Sequence, residues 1–304
     1  MPTQFNPAEG GDWSARPAGP KRSVFPNYEP DLLGEAGPAE SSNGGAEAVG
    51  ATALPPQDGA VAALARSFVY RTLAAAFADP DAETWRWLAA PETGAAWRAA
   101  WAALGDPSAA LPVFAADTFE EFRAAYEGMF GHAARGPCPI NELEYGEPGA
   151  DPLYQPQRLA DLVGFYRAFG MDLAEQADER PDHLSVELEF LCVLTAKEAW
   201  AWHQGGRGEG VTICRQAQKK FLAEHLGRWG PAFARRLRAS SGQPVLHRLA
   251  DCLAAFLSAE CRRLAVDPGP VHLGLRPVDD AWERLCASCG VGMNLPGAAG
   301  AKPD

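Results

Sequence analysis

A chain of 304 residues, 47% of them hydrophobic, is long enough to enclose one or two cores. Its formal net charge of -12 excludes the basic footprint that nucleic acid requires and disfavours an anionic membrane surface. Seven cysteines, an odd number with no secretory feature beside them, point to reduced thiols in the cytoplasm.

Residues 1–58 read as a disordered acidic tail, rich in Pro, Gly, Ala and Glu, with eight acids against three bases. Such a stretch buries too little apolar surface to offset the entropy of ordering it. Within it, KRSVFPNYEPDLL, from Lys21, has enough apolar character to dock. The opening MPTQFNPAEGGDWS has no basic segment followed by an apolar core, so no signal peptide is expected.

From Gly59 the pattern turns helical. Val69, Tyr70, Leu73 and Phe77 share one stripe in Val61–Ala78, and Pro80 ends it. VAALARSFVYRTLAAAFA is the most apolar window of the chain, but Arg66 and Arg71 interrupt it, so no membrane-spanning segment is expected. Asp81–Leu104 carries Trp85, Trp87, Leu88, Trp97 and Trp101 and breaks at Pro91 and Gly94, which predicts two short helices with their tryptophans in the core. Asp117–Phe130 is the next helix, and Thr118 followed by Glu121 makes a capping box.

The helical signal then stops over Gly131–Pro156, which is dense in Gly and Pro. Loops this long inside a compact domain are often functional. Helices resume at Arg158–Phe169, where Leu159, Leu162, Val163, Tyr166 and Phe169 form a stripe. They continue at His183–His203, Val211–Leu226, Pro231–Ala239 and Val245–Leu264, with a short helix near Asp279–Leu285 and a frayed end over 291–304. No segment alternates as a strand would. The predicted fold is therefore all-α, a single helical bundle-like domain over about 59–290.

Two motifs carry the chemistry worth weighing. The first is ERPDHLSVELEFL, Glu179 to Leu191. Asp182 is a natural N-cap, its carboxylate suited to the free amides and positive dipole of a helix start, and His183 beside it should stay neutral. The following LSVELEFLCVL is apolar nearly all round, as a central bundle helix is. The second is Cys286-Ala-Ser-Cys289. A C-x-x-C pair is half a zinc site or a redox pair, and a full site needs about four ligands. Cys252 and Cys261, nine residues apart, fall on opposite faces of one helix, and Cys138, His247 and His272 are the remaining candidate ligands.

GGRGEG at Gly205–Gly210 has no strand before it and reads as a connector, not a dinucleotide site. No nucleophile elbow, P-loop or H-E-x-x-H is present, and His132, His203, His225 and His247 have no spaced partners. These residues do not make an active site.

Three stretches resemble one family. RSFVYRTLAAAFADP (Arg66–Pro80), LEYGEPGADPLYQPQRLADLVGFYRAFGM (Leu143–Met171) and ERPDHLSVELEFL are similar, in this order, to the TorD/DmsD/NarJ family of chaperones for molybdoenzyme maturation, over roughly 59–265. The resemblance implies a TorD-like helical domain without catalysis and without a stably bound cofactor. It would bind the catalytic subunit of a molybdopterin oxidoreductase, often through its twin-arginine signal peptide, and hold it for cofactor insertion before export. The positions that match the family's partner contact are Asp182 and His183, with Tyr145, Glu187 and Tyr166 around them. Carboxylates suit paired guanidinium groups, and the apolar part of a signal peptide needs an apolar groove nearby. The long tail and the segment with Cys286 and Cys289 depart from the family pattern. A zinc or iron–sulphur centre or a redox sensor at that cysteine pair is the alternative reading. Monomer and dimer are both compatible with the sequence.

Overall fold

The structure is a computed structural model that describes Phe25 and residues 56–105, 118–131, 136–146, 154–173, 179–204 and 208–276. The rest of the tail, the predicted helix at Asp279–Leu285, Cys286, Cys289 and the C-terminus over 291–304 lie outside the described residues, as do residues 205–207, the first half of the GGRGEG connector.

Among the described residues the fold is all-α. The helices are α1 (Pro56–Phe77), α2 (Ala82–Ala89), α3 (Pro91–Ala103), α4 (Phe119–Phe130), α5 (Tyr154–Ala168), α6 (Leu184–His203), α7 (Glu209–Glu224), α8 (Leu226–Ser240) and α9 (Pro244–Leu264). Local chemistry sets several of their ends. Asp81 caps α2 by accepting from the Glu83 and Thr84 amides, both at 2.9 Å. The capping box at Thr118 and Glu121 forms at the start of α4 as the spacing predicts. Pro91 and Pro244 sit in first turns, where a missing N–H costs nothing.

Helix α8 differs from its expected start at Pro231. It begins at Leu226, directly after a break at His225, and contains the proline. A proline there cannot donate to the Gly227 carbonyl, one turn back. The Gly269 amide takes that carbonyl instead, at 2.8 Å, so the segment after α9 repairs the ladder. The same break ends α7 at Glu224, two residues short of the expected end.

Helix α6 is the centre of the fold. It packs along α1 on one side and α7 on another, while α8 and α9 pair with each other. Leu184, Leu188, Phe190, Leu191, Val193 and Leu194 are buried round its whole circumference, as an apolar helix requires. The tryptophans Trp85, Trp87, Trp97 and Trp101 are all core residues.

Four helices are tied together by one buried polar network. Arg66 of α1 donates through Nε to both oxygens of Glu260 (2.9 and 2.8 Å) and through Nη1 to Glu198 (2.8 Å), and it also bonds Gln218. Tyr70 donates to Glu260 at 3.1 Å, and Arg215 to Glu198 at 2.7 Å. This corrects the reading of the apolar window. By length and composition alone Gly59–Phe77 is long and apolar enough to cross a membrane. In the fold, 67% of that window is buried inside the protein, and Arg66 is its internal anchor.

Candidate functional site

The Gly/Pro-rich stretch between α4 and α5 is ordered by backbone bonds where it is described. The Cys138 amide donates to the Met129 carbonyl at 3.1 Å. A short 3-10 turn, Glu142–Glu144, follows. Isolated β-bridges join Asn141 to His183 on one side and Tyr145 to Leu275 on the other. The Leu184 amide reaches the Ile140 carbonyl at 3.1 Å, and the Glu142 amide reaches the Asp182 carbonyl at 2.9 Å. The loop is thus a clasp laid across the mouth of α6, held at its far edge by the Arg276 amide on the Glu144 carbonyl (2.9 Å).

Asp182 does not cap α6. His183 is the N-cap, its Nδ1 accepting from the Ser185 amide at 3.2 Å and lying 2.7 Å from the Ser185 hydroxyl. The Asp182 carboxylate turns the other way, onto an amide of the clasp and the guanidinium of its near neighbour Arg180. Oδ2 accepts from the Leu143 amide at 3.1 Å, and the Arg180 guanidinium forks onto both oxygens at 3.0 Å each. The pair is asymmetric: the Asp182 side chain is fully buried, while Arg180 is 51% exposed. Burial pushes the Asp182 carboxyl above its usual value, against the pull of Arg180. Burial and then Arg180 hold His183 down to about 3, so the imidazole is neutral, as its place at a helix start also favours.

Tyr145, Tyr166 and Glu187 are buried around this point. The Tyr166 hydroxyl donates to the Pro181 carbonyl at 2.7 Å. The Tyr145 hydroxyl donates to the Pro139 carbonyl at 2.8 Å, and its ring lies 5.2 Å from that of Trp229. Trp229 in turn donates to Glu187. The five positions implied by the family resemblance therefore come together around one end of α6, and none of them lies open to solvent. Next to Tyr145, Gly146 has φ +151, and a Cβ there would meet the Arg276 guanidinium at 2.5 Å.

The spacing of the sequence did not reveal several members of this cluster. Glu142 is buried and bonds His225 Nδ1 at 3.0 Å, and Arg158 of α5 reaches Glu142 and the Glu224 carbonyl. Burial alone would raise the Glu142 carboxyl, but the hydrogen bond and charge of His225 and the Arg158 guanidinium hold it below the ordinary range. The signal for Glu142 in the sequence is its place as a charge between the apolar Ile140 and Leu143. Arg180 and Trp229 carry no such signal, and His225, which has no spaced partner in the sequence, finds Glu142 only across the fold.

All five described thiols are buried, and at four of them burial disfavours the reactive thiolate. Burial pushes Cys138 and Cys252 up to about 12 and Cys214 and Cys261 up to about 11. Among the described residues no group of three or more His, Cys, Asp or Glu side chains is arranged to hold a metal. Cys138 is buried near the Tyr145 hydroxyl, and His247 bonds the Ser241 carbonyl. What the site offers is a buried carboxylate that grips a guanidinium, beside an aromatic wall.

The family model described as nitrate reductase delta subunit matches residues 90–235. A selenate reductase assembly chaperone protein of Thauera selenatis is 33% identical over 171 residues, 54% of this chain and 83% of that protein. A dimethyl sulfide dehydrogenase assembly chaperone protein of Rhodovulum sulfidophilum is 33% identical over 235 residues, 72% of this chain and 90% of that protein. A chlorate reductase assembly chaperone protein of Ideonella dechloratans is 33% identical over 175 residues, 56% of this chain and 76% of that protein.

Proposed function

The chain belongs to the TorD/DmsD/NarJ family of molybdoenzyme assembly chaperones, and on that premise we propose that it works in the cytoplasm on the catalytic subunit of a molybdopterin oxidoreductase. It binds that subunit through a twin-arginine signal peptide and holds it for cofactor insertion before export. The protein supplies binding, not catalysis.

The observation that carries this reading is the Asp182–Arg180 pair. A fully buried carboxylate already accepts a guanidinium in the two-pronged geometry that an arginine peptide would use. The arginine that fills it comes from two positions away and is half in water, so it can swing out while a guest arginine takes its place. The exchange keeps the buried charge paired at every stage, which avoids the large penalty of an isolated carboxylate. Selectivity for paired arginines over lysines follows from the fork, since an ammonium offers no matching plane of donors.

The test is an affinity capture of the tagged full-length chain from its native cytoplasm under anaerobic growth, with mass spectrometry of what is retained. A molybdopterin-type catalytic subunit is expected on the wild type and on Arg180→Ala. It should be lost from the Asp182→Ala, His183→Ala double variant with helical content unchanged. Loss of helical content in the double variant would make the pair structural. An intact chain that captures no such subunit would overturn the reading.

A further inference from the structure

Phe25 lies far ahead of α1 in the sequence, yet its side chain is completely enclosed. Its ring meets Tyr166 edge-on, with centroids 5.3 Å apart at 71°. Tyr166 comes from α5 and is backed by Phe190 of α6 at 5.0 Å and Phe221 of α7 at 6.3 Å. The hydroxyl of the same tyrosine is bonded to the Pro181 carbonyl, immediately before Asp182. The aromatic slot therefore adjoins the arginine-gripping carboxylate, and a residue from outside the bundle fills it.

The sequence around that residue matters. Phe25 ends the run Lys21-Arg22-Ser23-Val24-Phe25, two adjacent cations followed by apolar side chains. This is the same order of chemistry as a peptide with paired arginines and an apolar continuation. The tail thus carries, in cis, a short imitation of the guest that the neighbouring carboxylate suits.

We propose that the slot at Tyr166 is the seat for a large apolar side chain of the client peptide, and that Phe25 fills it in the unoccupied chaperone as a stand-in that the client displaces. The proposal rests on the chaperone reading above and adds the second anchor of the peptide, apolar where Asp182 is ionic. A stand-in on the same chain competes at the effective concentration of its tether, so a weakly fitting peptide is kept out while a true client wins by engaging both anchors. It also keeps an aromatic slot covered when no client is present.

The experiment uses the full-length chain and a fluorescein-labelled synthetic peptide of its own residues 18–33. The peptide is expected to bind Phe25→Ala at least about tenfold more tightly than wild type, because the covalent competitor is gone. Phe25→Leu, which keeps an apolar occupant, should fall close to wild type. The catalytic subunit recovered by affinity capture should displace the labelled peptide from Phe25→Ala. Equal peptide affinity for wild type and Phe25→Ala, or no binding to either, would overturn the slot. A captured subunit that leaves the labelled peptide in place would overturn the shared seat while the chaperone reading stands. Failure of that reading shows separately, as no catalytic subunit on any of the chains, and it removes the client from this proposal.

Discussion

The indole Nε1 of Trp229 donates to both carboxylate oxygens of Glu187, at 3.2 and 3.3 Å, with both side chains shut off from water. Burial first, and then the charge of Glu142, push the Glu187 carboxyl well above its ordinary value of 4.5. The folded chain therefore keeps a proton there that the unfolded chain releases. Above about pH 4.5 the folded state binds the extra proton, so this group subtracts stability increasingly as pH rises, until its folded value is passed. Glu187→Gln keeps the shape and removes the titration. Its melting temperature should exceed that of wild type by a margin that grows with pH from about 4.5 upward. A margin that stays constant from acid to neutral pH would mean that the carboxylate is ionised in the fold.

His183 has the opposite sign. Burial holds it down to about 3, against 6.5 for a free imidazole. The unfolded chain takes up a proton below about pH 6.5 that the folded chain refuses, so stability falls as pH drops from there towards 3. His183→Asn keeps an oxygen that can accept from the Ser185 amide but has no proton to gain. Thermal unfolding between pH 7 and 4, on the order of the interval where free histidine charges, should show a shallower acid decline in the variant than in wild type.

Arg66 answers two buried carboxylates, Glu198 and Glu260, from the middle of α1. Arg66→Met leaves both without their central partner and should cost about 3–5 kcal/mol in urea unfolding, the usual penalty for stranding a buried charge. Adding Glu198→Gln and Glu260→Gln to Arg66→Met should recover a large part of that loss. A cost below about 1 kcal/mol for the single variant would mean that the network contributes no more than a surface pair.

Gly146 stands where the backbone needs positive φ and where a side chain would press on the Arg276 guanidinium. Gly146→Ala should destabilise by about 1–3 kcal/mol, the range for a side chain forced into such a conformation. The effect should concentrate at the edge of the clasp. Hydrogen exchange at the Arg276 amide, which bonds the Glu144 carbonyl, should accelerate more than exchange in α6. Equal acceleration in both places would mean that the clasp does not open on its own.

The sequence alone was informative wherever the cause of structure is local. Helical stripes, the capping box at Thr118 and Glu121, and the break at Pro91 all act within about one turn, so spacing exposes them, although Gly94 does not break α3. The apolar circumference of α6 is equally local, and its central position follows from it. Arg66–Pro80, Leu143–Met171 and Glu179–Leu191 carry the family resemblance, because they retain both motif and order.

Other features depended on chain crossings that spacing does not encode. Arg66 meets Glu260 across 194 positions, and His225 meets Glu142 across 83. A charge within an apolar window looks like an interruption until three other helices converge on it. Asp182 looked like a cap because its own sequence supplies amides within reach. The fold brought the Leu143 amide of the clasp within reach, Arg180 already lies two positions away, and a carboxylate accepts from whichever donors surround it at the least desolvation cost. Pro231 looked like a helix start because its missing bond is visible in the sequence, while the Gly269 amide that compensates comes from beyond α9. Local rules settle which residues become helices. Only tertiary structure decides which buried polar groups meet, since that depends on where helices cross in space.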